Sequence, residues 1–220
     1  MTSDTFGFLT DQSTLMAVVL GATYPELFAA VGAHSGLPYR AAESSFSAWR
    51  AMRFGSGRSR TAGAVVTETG HVPRLIVFHG DADETVGVVN ATALVKQWLQ
   101  LAGRSDVKEA DLEPAISLTV RDAGGHPYTR SIYRAASQTV VELWIVHGLA
   151  HAWSGGASGA AYTDTNAPSA GEQMLHFFCG ATFSGSPGQD GDVDSIGLAG
   201  SADALDRGID ALEIETMCCQ

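Results

Sequence analysis

Two short, nearly unbroken apolar runs constrain this chain more than any other feature. Residues 74–79 (Arg-Leu-Ile-Val-Phe-His) and 140–146 (Val-Val-Glu-Leu-Trp-Ile-Val) are of strand length and are followed by glycine turns. A strand with one wet face alternates apolar and polar residues; a continuous run suits a strand covered on both faces. Helices must therefore flank the sheet. The rest of the chain supplies them. Residues 13–24 read as a helix apolar nearly all round, with Ser13 as its N-cap and Pro25 closing it. Residues 28–34 read as a strand, and 44–53 as a short amphipathic helix through Phe46, Trp49 and Met52. A helix over 88–101 carries Leu94, Val95, Trp98 and Leu101 on one stripe. Segments 115–121 and 128–134 flank Gly124-Gly125 and predict a hairpin. Pro168 opens a last helix through Met174, Leu175, Phe177 and Phe178. Alternating strands and helices predict an α/β fold with a mostly parallel sheet and flanking helices.

Charge and cysteine usage narrow the function. The net charge of −11 and the absence of a basic stretch argue against a nucleic-acid partner. Acidity is concentrated at one end, where residues 181–220 hold eight acids against Arg207 alone. That segment is rich in Gly, Ser and Asp, and is expected to form a disordered tail with at most a weak helix near 203–216. A Gly/Arg/Ser stretch at 55–63 reads as a surface loop. Cys179, Cys218 and Cys219 fit neither a disulfide framework nor a zinc motif, and no cofactor or metal is expected. No run is long enough to cross a membrane, and the first twenty residues do not read as a signal peptide.

Chemistry concentrates just past the two best strands, where open α/β sheets place their ligands. The first site is His79-Gly80-Asp81-Ala82-Asp83-Glu84-Thr85-Val86. Closely spaced acids on a glycine turn suit a carboxylate that orients an imidazole, although Asp also caps such turns. The second is His147-Gly148-Leu149-Ala150-His151-Ala152-Trp153-Ser154-Gly155-Gly156. His151, on a small-residue loop, is placed as a general base. His147 sits at the strand end and reads as structural. His34, His71, His126 and His176 read as polar groups satisfied locally.

The stretch from Ala22-Thr23-Tyr24-Pro25 to His34-Ser35-Gly36-Leu37-Pro38-Tyr39 resembles the segment after the nucleophile elbow of polyhydroxybutyrate depolymerase-type esterases, which are related to feruloyl and acetylxylan esterases. Val77-Phe78-His79-Gly80-Asp81-Ala82-Asp83 resembles that family's acid loop, and residues 147–156 its histidine loop. Tyr128-Thr129-Arg130 with Tyr133-Arg134 resembles its hairpin, and Tyr162-Thr163-Asp164 its approach to the last helix. The resemblance implies an esterase domain over 7–180, the C-terminal two-thirds of an α/β-hydrolase fold lacking its N-terminal strands, followed by the tail at 181–220. It also implies a Ser-His-Asp mechanism on a small ester or polyester, with Asp83 as triad acid, Asp81 as the competing acid and His151 as base. An extracellular location is implied too. One departure stands out. Aligning Met16 with the family's Gly-x-Ser-x-Gly-Gly-x-Met places Asp11 at the nucleophile and Leu9 and Ser13 at the glycines. An ionised Asp11 has no proton to give up, and Ser13 lies two residues late. The nucleophile elbow is therefore expected to be missing.

Overall fold

The computed structural model describes residues 4–55, 71–103, 112–121, 125–135 and 138–179. The loop expected at 55–63 and the acidic tail at 181–220 lie almost wholly outside these residues. Contacts divide the chain into two units, Met1–Ala170 and Gly171–Gln220. Of the second unit, only 171–179 is described.

The first unit is built on a five-stranded sheet in the order β1-β2-β5-β4-β3. The strands are β1 (Ala30–His34), β2 (Arg74–Gly80), β3 (Ile116–Val120), β4 (Tyr128–Ala135) and β5 (Gln138–Val146). The two apolar runs lie side by side. β2 runs parallel to β1 and to β5, with Gly80 opposite Val146. β4 then pairs antiparallel with β5 and with β3, which is the expected hairpin. The parallel strands β1, β2 and β5, with helices beside them, make the α/β class with flanking helices that the sequence predicts.

α1 (Asp4–Thr23) and α3 (Val89–Leu101) bury Val18, Ala22, Leu94, Val95, Trp98 and Leu99 against one side of the sheet. That side is lined by Val31, Ala33, Leu75, Val77, Val141 and Leu143. The alternate residues of β2 and β5 are buried as well, as continuous apolar strands require. On that second side Phe78 stacks on Trp144 with ring centroids 5.1 Å apart. Glu142 interrupts the run but is satisfied there. It accepts a forked pair of bonds from Arg130 (2.7 and 3.0 Å) and one from Trp144 Nε1 at 2.7 Å.

The expected helices are present, with one correction. α2 (Ser45–Phe54) is capped by Ser44, and α4 (Ala170–Phe178) begins two residues after Pro168. α1, however, does not begin at Ser13. The helix runs unbroken from Asp4, so Ser13 is an interior helical residue and not an N-cap. The upstream stretch contains no proline, and its single glycine is not enough to stop a helix. Pro25 acts as expected, since α1 ends at Thr23 and Pro25 opens a single 3₁₀ turn, Pro25–Leu27.

Candidate active site

Because Gly80 and Val146 are in register, the chain leaves β2 and β5 side by side, and the two loops that follow are joined along their backbones. Asp81 N–H donates to Val146 O (3.1 Å) and Ala82 N–H to Leu149 O (3.2 Å). Gly80 makes this approach possible: a Cβ there would overlap the Leu149 carbonyl. The histidine loop turns at Gly148 with φ +80°, a conformation suited to glycine.

Each aspartate of the acid loop takes its own histidine. Asp83 Oδ2 accepts from His151 Nδ1 at 2.9 Å, while its Oδ1 accepts from the Thr85 and Val86 amides at 2.9 and 2.8 Å. The Asp83 side chain is fully buried, and that of His151 is 21% exposed. Burial alone would raise the Asp83 carboxyl. The hydrogen bonds from His151 and the Val86 amide, with the fields of His151 and His79, bring it below its ordinary value. His79 is buried beside it, Nε2 4.0 Å from Asp83 Oδ2, and donates to Val86 O at 2.7 Å.

The other pair is Asp81 and His147. His147 Nδ1 donates to Asp81 Oδ2 at 2.8 Å, and Gly148 N–H donates to Oδ1 at 2.7 Å. Both side chains are more than a third exposed. Desolvation raises the Asp81 carboxyl, but the Gly148 amide and His147 outweigh it and lower it. His147 also receives a bond at Nε2 from Thr129, at 2.9 Å. The sequence reading of His147 as merely structural missed this pairing. The signal was the matched position after β2 and β5, which needs the strand register to be read.

His34 is a further residue of the site, although its sequence showed only a histidine ending an apolar strand. It is buried, and its Nε2 accepts the Ser154 N–H at 2.9 Å. That bond requires the neutral Nδ1–H tautomer, and Nδ1 lies 3.4 Å from Ser35 Oγ. Burial, then the neighbouring His79, lowers its pKa to about 3; Asp83 opposes this shift and His151 adds to it. The ring lies 4.7 Å from Trp153 and 6.1 Å from Phe78, centroid to centroid, stacked on both. One neutral imidazole thus ties the end of β1 to β2 and to the histidine loop. Among the other histidines, His71 meets Phe28 O at 3.0 Å, and His126 meets His147 O at 2.8 Å and Asp164 Oδ2 at 3.1 Å.

Asp11 and Ser13 lie within α1, which has no strand-to-helix turn at that point. Among the described residues, no group of three or more His, Cys, Asp or Glu is placed to hold a metal ion, and no helix is long and apolar enough to cross a membrane.

Comparison with known proteins supports the resemblance seen in the sequence. Residues 8–114 match the family model "Esterase PHB depolymerase". Poly(3-hydroxyalkanoate) depolymerase C of Paucimonas lemoignei is 32% identical over 143 residues, covering 62% of this chain and 32% of that protein. Feruloyl esterase B of Talaromyces stipitatus is 31% identical over 106 residues, 41% of this chain and 29% of that protein. Acetylxylan esterase A of Talaromyces purpureogenus is 29% identical, covering 57% of this chain and 37% of that protein. The chain thus spans about a third of the length of these curated relatives. A solved acetyl xylan esterase from Aspergillus awamori superposes with a TM-score of 0.49 at 22% identity, over 63% of this chain and 50% of that one. Over residues 8–114, the chain is thus similar to the esterase PHB depolymerase family, and over its matched segments to depolymerase and esterase relatives.

Proposed function

We propose that this chain supplies the acid and base of a carboxylic ester hydrolase of the polyhydroxybutyrate depolymerase and feruloyl esterase type. The single observation that carries this reading is the 2.9 Å bond from His151 Nδ1 to the buried Asp83, beside two parallel strand ends. In this role Asp83 fixes the tautomer, leaving Nε2 of His151 to take a proton from a hydroxyl nucleophile and return it to the leaving alcohol. The substrate is a small carboxylic ester or a polyester, and by likeness to the family the setting is extracellular. The unbroken course of α1 through Asp11 and Ser13 supports the expectation of very low turnover by the purified chain.

The test is hydrolysis of p-nitrophenyl butyrate by the purified chain, together with fluorophosphonate labelling. Trace turnover that drops further in His151→Gln, with no label on Ser13, fits the proposal. Robust turnover indifferent to His151→Gln would overturn it. A second reading, an ester-binding module without catalysis, is favoured by the unbroken helix through Asp11 and Ser13. Retention on a polyester film with no His151-dependent hydrolysis would establish it.

A further inference from the structure

The second aspartate–histidine pair carries a hydroxyl group of its own. We propose that Thr129, His147 and Asp81 form a separate acyl-accepting site, in which the Thr129 hydroxyl takes an acyl group from an aryl ester or thioester. This inference does not depend on the roles proposed for Asp83 and His151.

The carboxylate of Asp81 only accepts hydrogen bonds. The proton between it and His147 therefore sits on Nδ1, at 2.8 Å. The neutral ring then presents a lone pair at Nε2, which is 2.9 Å from Thr129 Oγ1. Thr119 Oγ1 lies 3.1 Å from Thr129 Oγ1 across the β3–β4 ladder and can donate to it, leaving the Thr129 proton directed at the imidazole. A nucleophile bonded to a base, with the base bonded to an orienting acid, is the arrangement that activates a hydroxyl. The base is held firmly. His147 N–H donates to Pro127 O (2.8 Å), His126 Nδ1 donates to His147 O (2.8 Å), and Gly148 N–H fixes the remaining oxygen of Asp81 (2.7 Å). The site is also accessible, since His147 and Asp81 are each more than a third exposed.

In the step proposed, Thr129 Oγ attacks the acyl carbonyl carbon while its proton passes to His147 Nε2. The new bond is the Thr129 ester. The bond to the leaving group breaks with its electron pair, and the aryloxide or thiolate takes the proton from Nε2. No redox partner is involved. The Gly148 amide is committed to Asp81 and does not help an oxyanion, so a donor with a stable leaving group is required.

The experiment is incubation of the purified chain with p-nitrophenyl acetate, followed by peptide mapping by mass spectrometry. The expected result is a single acetyl group on the peptide containing Thr129. Thr129→Val should remove it and Thr129→Ser should retain it. His147→Gln should slow it by at least ~10-fold, as loss of a general base does, and His151→Gln should leave it unchanged. Circular dichroism melts confirm that each variant is folded. Acetylation confined to Lys96 or other amines, or Thr129 acetylation unaffected by His147→Gln, would overturn the proposal. Failure of the Asp83–His151 reading would instead show as indifference of hydrolysis to His151→Gln.

Discussion

The two aspartate–histidine pairs are built from the same residue types on the same two loops, yet they sit in different environments. Asp83 is buried and bound by two backbone amides as well as His151, whereas Asp81 is held by one amide and His147 near solvent. A buried carboxylate must have its acceptors filled, because an unsatisfied polar group away from water costs free energy. An exposed one keeps water as an alternative partner. Spacing alone therefore does not rank the two pairs. Burial does.

The largest effect should come from disturbing both pairs at once. Gly80→Val would push a side chain into the Leu149 carbonyl, which joins the two loops. We expect a loss of about 1–3 kcal/mol, or roughly 2–12 °C in melting temperature for a chain of this size. A melting temperature within two degrees of wild type would mean that the loops separate easily, and the comparison would lose its basis.

Asp83→Asn should cost about 1–3 kcal/mol at pH 7, since it removes a charged acceptor of three bonds from a buried place. Its pH dependence has a definite sign. The folded carboxyl is held below its ordinary value, so its contribution is complete above the unfolded pKa near ~4. It is lost as pH falls through the folded value. Acid melts of wild type and variant should therefore converge below pH ~4. Equal spacing of the two curves down to pH 2 would show that the charge of Asp83 is irrelevant to stability.

His34→Phe tests the residue that links the loops. Losing the acceptor for the Ser154 amide should cost about 1–2 kcal/mol at pH 8. The unfolded imidazole binds a proton below about 6.5, whereas the folded one resists it down to about 3. Wild-type stability should accordingly fall as pH drops through that window, and the variant should lack this part of the slope. A variant with the same slope between pH 6.5 and 4 would assign the slope to other groups.

The smallest effect belongs to the exposed pair. Asp81→Asn should cost no more than about 1 kcal/mol, and ~0.5 M salt should erase most of the difference. A cost equal to that of Asp83→Asn, unchanged by salt, would remove the contrast between the pairs.

The elements were legible in the sequence because their signals are local. β2 and β5 follow from their apolar runs, the hairpin from alternation around Gly125, and the end of α1 from Pro25. The start of α1 was misread, because a serine before an apolar run looks like a cap whether or not the helix continues upstream. Asp83 and His151 were also legible, as an acid and a histidine on glycine-rich turns after two strands.

By itself, then, the sequence determined the strands and helices, their α/β class and the two loops that carry the acid and the histidine. Only the tertiary structure decided that Asp83 meets His151 while Asp81 meets His147, that Thr129 reaches His147, and that His34 joins three segments. The physical reason is range. Turn chemistry and hydrophobic period act over a few neighbouring residues, whereas partner choice depends on the register of Gly80 against Val146 and on which carboxylate the packed core buries.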